Sequence, residues 1–141
     1  MLKGISPLIN PDLLKMLHEM GHGDEVLLAD AHFPGHSLGQ RVMRADGLTI
    51  APLLDGILSL LALETSENSL SMMDPERSGE LDSEVEADFM RVVRRYLPNA
   101  ATPRRLPRAE FYQRAKSCFV VVMTGEMRAY GNIVLKKGIT P

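Results

Sequence analysis

The chain has 141 residues, a hydrophobic fraction of 45%, a charged fraction of 24% and a formal net charge of −2. That length supports one hydrophobic core without disulfides, and these fractions exclude both intrinsic disorder and fibrous architecture. No apolar run approaches the roughly 18 residues of a membrane span, nothing near Met1 resembles a secretory signal, and the charge balance carries no polyanion-binding signature, so a cytoplasmic protein binding neither membrane nor nucleic acid is expected.

Asn10 is placed to cap a helix that opens on Pro11 and Asp12, with Leu13, Leu14, Leu17 and Met20 at helical spacing until Gly21 stops it. Glu25 to Ala29 reads as a short buried strand ending at Asp30, and in the following His32-Phe33-Pro34-Gly35-His36 the proline and glycine oppose regular structure. Ile50 to Leu63 reads as a helix, Leu70 to Met73 as a strand, and Asp74 to Gly79 as a plain surface connection. Asp82 to Leu97 places Val85, Phe89, Val92 and Tyr96 on one helical face, with acids early and arginines late as the helix dipole favours. Arg104 to Arg108 reads as a basic connection, Ala109 to Lys116 as a short helix, and Cys118 to Met123 and Asn132 to Leu135 as strands covered on both faces. Alternating helices and strands, with no repeat or linker, predict one layered α/β domain over residues 1–141, its strand order left open.

Charge divides unevenly along the chain. Residues 1–90 carry 5 basic and 16 acidic side chains, a net −11, and residues 91–141 carry 11 and 2, a net +9. Such complementarity suits contacts between the halves of one domain or between subunits better than binding to nucleic acid.

Several patterns have duller explanations. His18, His22, His32 and His36 fall within nineteen positions beside Asp24 and Asp30, which raises a metal site. Gly21 interrupts the first pair and Pro34-Gly35 the second, so neither pair has a helical register and no metal is expected. Gly35-His36-Ser37-Leu38-Gly39 matches a hydrolase nucleophile elbow, but Pro34 stands where a strand should end and no histidine follows Ser37. Cys118, the only cysteine, lies in an apolar run and reads as core. Nucleotide-binding glycine loops are absent.

His22 stands between Gly21 and Gly23, and position alone leaves it equally a turn residue or an acid–base group. Flanking glycines permit close ligand approach, and imidazole is the side chain best matched to proton transfer near neutral pH. Asp30 at a strand end would orient a substrate hydroxyl or the histidine. Tyr130 and Asn132 would share a side if that stretch is extended, with Gly131 leaving room for a ligand between them. Arg108 is either a fork of donors to hydroxyl groups or another surface arginine.

Taken together, the stretches Lys3 to Ile9, Glu19-Met20-Gly21-His22-Gly23-Asp24-Glu25, Asp30-Ala31-His32-Phe33-Pro34, Arg44 to Gly47, Phe111-Tyr112 and Tyr130 to Gly138 resemble the family of ribose pyranases and L-fucose mutarotases over nearly the whole chain. The His-Gly-Asp-Glu, Ala-His-Phe-Pro and Tyr-Gly-Asn wording is more similar to the fucose branch. The resemblance implies a three-layer α/β/α fold with a mostly buried sheet, and a cofactor-free isomerase that interconverts the anomers of a free monosaccharide, L-fucose first and D-ribose as the alternative. It also implies His22 as the proton-transferring residue, with Asp30, Arg108, Tyr130, Gly131 and Asn132 at the substrate. The wording around Arg108 departs from the family's. The resemblance further implies homo-oligomers, commonly decamers, with sites at subunit boundaries, which leaves open whether Tyr130 and Asn132 serve the His22 of their own subunit or of a neighbour. The competing classes are a metal-binding hydrolase and a non-catalytic sugar-binding or assembly module.

Overall fold

The computed structural model describes residues 1–66 and 68–141, with Ser83 described by its backbone alone. The chain runs α1 (Pro11–Glu19), β1 (Glu25–Ala29), α2 (Gly35–Leu38), β2 (Val42–Ala45), α3 (Ile50–Leu58), β3 (Leu70–Met73), α4 (Ser83–Tyr96), β4 (Arg104–Leu106), α5 (Arg108–Ser117), β5 (Val120–Thr124) and β6 (Ile133–Lys136).

The strands form one six-stranded sheet in the order β2-β5-β1-β6-β3-β4. Five strands point the same way, and β6 alone runs antiparallel, inserted between β1 and β3. The carboxyl ends of β1, β3 and β4 therefore lie at the same edge of the sheet as the amino end of β6. Alternation along the strands sends side chains to opposite faces. Val26, Leu28, Val120, Val122, Ile133 and Leu135 join the core under α1, α3 and α4. Leu27, Ala29, Val121, Met123 and Val134 join a second core under α5. This is the expected three-layer α/β/α arrangement, and no helix among the described residues is long and apolar enough to cross a membrane.

Local chemistry explains the element ends. The Asn10 side chain accepts a hydrogen bond from the Leu13 amide at 2.8 Å, as an N-cap should, and Asp82 caps α4 through Glu84. α1 ends one residue before the expected stop, at Met20, whose backbone is already extended, and the left-handed glycine of this turn is Gly23.

Four readings are corrected. The helix from Ile50 stops at Leu58 rather than Leu63: the Ser59 hydroxyl bonds the Gly56 carbonyl, two i→i−3/i−4 bonds to Ile57 turn the chain, and Leu63 pairs with Lys137. Arg104 to Leu106 is an edge strand, where the exposed Arg104 is tolerated and discourages further pairing. β2, an edge strand containing Arg44, and the single turn of α2 have too few periodic apolar residues to show in the sequence. Asp74 to Gly79 is not a plain connection, because Glu76 reaches Arg108 and Tyr130.

Candidate functional site

The carboxyl edge of the sheet gathers most of the expected site residues. Asp30 follows β1, Arg108 opens α5 just after β4, and Tyr130 and Asn132 precede β6. With His32, Phe33, Pro34, Met73 and Tyr112 they line one cleft of about 130 Å³. This is where open α/β sheets commonly bind ligands, outside the carboxyl ends of parallel strands. The volume is below the roughly 300–1,000 Å³ of a pocket that encloses a small molecule.

Asp30 is the most buried ionisable group in the cleft, at 7% exposure. Its backbone amide donates to the Asn132 side-chain oxygen at 2.7 Å, and its carboxylate accepts from the His32 amide at 2.9 Å. Burial raises the carboxyl above its ordinary value, opposed by hydrogen bonds from His32 and Asn132. Asn132 thus holds Asp30 from the end of the adjacent strand, and both depend on the antiparallel placement of β6 beside β1.

Arg108 and Tyr112 lie four positions apart on α5, so both reach the cleft from one helical face. Phe33 stands edge-on to both Phe111 and Tyr112, with ring centroids 5.9 and 5.6 Å apart, and forms an apolar wall. The Arg108 guanidinium meets Glu76 at 3.2 Å. The Tyr130 hydroxyl accepts from the Glu76 amide at 3.3 Å and donates to Glu80 at 3.4 Å.

Tyr130 is not extended. It sits in a turn at φ 58°, left-handed for a residue with a side chain, so the expected alternation with Asn132 is not what brings the two to one cleft. The turn is braced by Arg128, whose guanidinium grips the Glu126 carboxylate with two nitrogens at 3.1 and 3.2 Å and also pairs with Asp88 on α4. Gly131 has a structural reason besides the expected one. A Cβ there would lie 2.9 Å from the Arg128 carbonyl oxygen and 3.0 Å from Glu126, so the turn itself requires the glycine.

His22 is elsewhere. It precedes β1, at the opposite edge of the sheet, and β1 alone separates it from Asp30 by about 16 Å. Its Nε2 meets Glu64 at 2.7 Å, and just over half of its side chain is exposed. Within one chain, His22 and the cleft cannot touch the same small molecule.

The remaining motif residues are structural. Gly35 packs directly on Met123, and a Cβ on Gly39 would lie 2.9 Å from the Gly35 carbonyl, so the glycines of the elbow-like pattern serve close packing beneath α2. Cys118 is fully buried, and burial, then the nearby Glu25, push its thiol up to about 12. Glu64, Glu76, Glu80, Phe33 and Tyr112 were not legible as site residues by spacing; only Phe33 and Tyr112 fell within family-like wording.

Comparison with known proteins bears on the family and the fold. An L-fucose mutarotase of Histophilus somni (strain 2336) is 49% identical over 142 residues, spanning 100% of this chain and 99% of that protein. The crystal structure of a fucose mutarotase from Streptococcus pneumoniae in complex with L-fucose superposes with a TM-score of 0.92 at 39% identity, covering 99% of this chain and 100% of that one. Bacillus subtilis RbsD complexed with D-ribose shares the fold, with a TM-score of 0.73 at 21% identity over the full length of both chains. Residues 3–140 match the model of the RbsD / FucU transport protein family, and the chain belongs to that family.

Proposed function

We propose that this protein is an L-fucose mutarotase, an isomerase that interconverts the α and β anomers of the free sugar by opening and reclosing its ring. The observation that carries the reading is the convergence of Asp30, Arg108, Tyr130 and Asn132 on one cleft. The substrates named for the relatives above point to the sugar. The apolar wall of Phe33, Met73 and Tyr112 favours fucose over ribose, because a 6-deoxy hexose carries a methyl group that ribopyranose lacks.

Ring opening removes a proton from the anomeric hydroxyl and delivers one to the ring oxygen as the C1–O5 bond breaks. Rotation about C1–C2 and the reverse transfer complete the exchange, with no net oxidation and no leaving group. Asp30 accepts hydrogen bonds from sugar hydroxyls and Arg108 donates to them, exchanging its contact with Glu76 for the ligand. Tyr130 presents a hydroxyl able to give or take a proton. His22 is the proton shuttle, and because it stands at the far edge of its own sheet it serves the cleft of a second copy. The small, open cleft is then half of a site, completed in a cytoplasmic homo-oligomer, ten copies in the arrangement the family resemblance implies.

Exchange NMR between fucose anomers tests this. Wild-type protein should accelerate exchange of fucose more than of ribose, and His22→Ala should lose on the order of 10²–10⁴-fold while keeping its assembly state. Undiminished exchange in His22→Ala would refute the assignment.

A further inference from the structure

The strongest unexplained arrangement outside the cleft is the pairing of His22 with Glu64. An exposed histidine–carboxylate contact is ordinarily worth little, because two flexible side chains must be held in one geometry against solvent. Here the backbone holds both partners. The segment at the end of β6 is clamped from two sides: Gly23 N–H donates to the Lys137 carbonyl and Lys137 N–H to Asp24, each at 2.8 Å, while Glu64 N–H donates to the Lys136 carbonyl at 2.9 Å and Leu63 bridges Lys137.

Further bonds fix each loop. The Asp24 carboxylate accepts from Gly21 N–H at 2.7 Å, closing the turn that carries His22. The Lys137 ammonium donates to the carbonyls of Leu17 and Met20 at 3.0 and 2.6 Å, tying the end of α1 to the same strand. The second oxygen of Glu64 accepts from Thr65 N–H at 2.8 Å, so the carboxylate is held at two points. Hydrogen bonds from His22 and Thr65 lower its pKa, which keeps it ionised near neutral pH.

An ionised carboxylate only accepts hydrogen bonds, so the imidazole nitrogen 2.7 Å from it must carry the proton. We propose that Glu64 is a positioning residue for His22, fixing its neutral ring as the Nε2–H tautomer and presenting the bare Nδ1 outward to take a proton from the sugar. This rests on the reading of His22 as the proton shuttle. It divides the ring's two nitrogens between structure and chemistry, the arrangement by which carboxylates orient catalytic histidines generally. The sequence conceals the pair because its members are 42 positions apart and the apolar pattern before Glu64 suggests a helix running up to it, whereas α3 ends at Leu58.

Two measurements decide the matter. Nitrogen-15 NMR of histidine-labelled protein above the imidazole titration, with the His22 signals identified by their loss in His22→Ala, should show only the Nε2–H tautomer in the wild type and a mixture in Glu64→Ala. Anomer exchange should fall about tenfold in Glu64→Ala and recover in part in Glu64→Gln, whose side-chain carbonyl still accepts from Nε2–H. If His22→Ala abolishes exchange but Glu64→Ala matches the wild type in rate and tautomer, the role of Glu64 is overturned while that of His22 stands. If His22→Ala keeps exchange, the shuttle reading fails and takes the catalytic role of Glu64 with it.

Discussion

Asp30 combines two requirements that conflict. A carboxylate at the sheet edge suits a sugar hydroxyl, but burial beside Phe33 and Asn132 raises its pKa, so the ionised form is penalised in the folded state. A raised folded value means that the group's contribution to stability is full when it is protonated, below the ordinary carboxylate range, and is lost as pH rises through the folded value. Asp30→Asn keeps an oxygen for the His32 amide and removes the charge. Its thermal midpoint should exceed that of the wild type at neutral pH, and the gap should narrow as pH falls through the raised folded value and be closed below the ordinary carboxylate value of about 4. Sugar binding should weaken about tenfold or more through loss of a charge-assisted hydrogen bond. A wild type more stable than Asp30→Asn at neutral pH would show that the His32 and Asn132 bonds outweigh the burial. At this scale the sequence was readable where a residue carried unusual neighbours, as His22 does between glycines. It was silent about Glu64 and Glu76, whose significance lies in partners 42 and 32 positions away.

At the scale of elements, the β5–β6 connection is the least regular piece and carries Tyr130. Its shape rests on Arg128, which joins the 3%-exposed Glu126 to Asp88 on α4. Arg128→Met would leave the Glu126 carboxylate buried without its partner. Since the arginine side chain is 30% exposed, water can reach part of the site, and the cost should be about 2–3 kcal/mol rather than the larger loss of a fully enclosed pair. Denaturant titration should show a lower midpoint with an unchanged slope, and adding Glu126→Gln should recover part of the loss. If the double variant is no better than the single, the loss comes from packing rather than the orphaned charge. Helices with strong periodicity or clear caps, such as α1 and α4, and the uninterrupted apolar run of β1 could be read directly. The edge strands β2 and β4 could not, because edges tolerate arginine and need little apolar pattern. The position of β6 was unreadable too, since an apolar run covered on both faces does not encode its neighbours or its direction.

Across the whole molecule, the opposed charges of the two parts of the chain resolve into contacts within it. Six ion pairs among the described residues join residues 1–90 to residues 91–141: Asp88 to Arg91, Asp55 to Arg95, Glu86 to Arg105, Glu76 to Arg108, Glu25 to Arg114 and Asp88 to Arg128. The charge asymmetry therefore describes how the chain folds on itself and supplies no argument for assembly. The argument for assembly comes from the site, with the cleft at one edge of the sheet and His22 at the other. Two impaired variants can test it, assayed at fucose concentrations low enough that the weakened binding of Asp30→Asn limits its exchange. His22→Ala retains an intact cleft, and Asp30→Asn retains an intact histidine. Co-expressed in equal amounts, random pairing should give about one quarter of the sites a normal cleft facing a normal His22, since each site of the proposed oligomer draws on two copies. Fucose exchange should then return to roughly that fraction of wild type. If each chain used its own His22, every copy in the mixture would still lack one half, and activity would stay at the level of the separate variants.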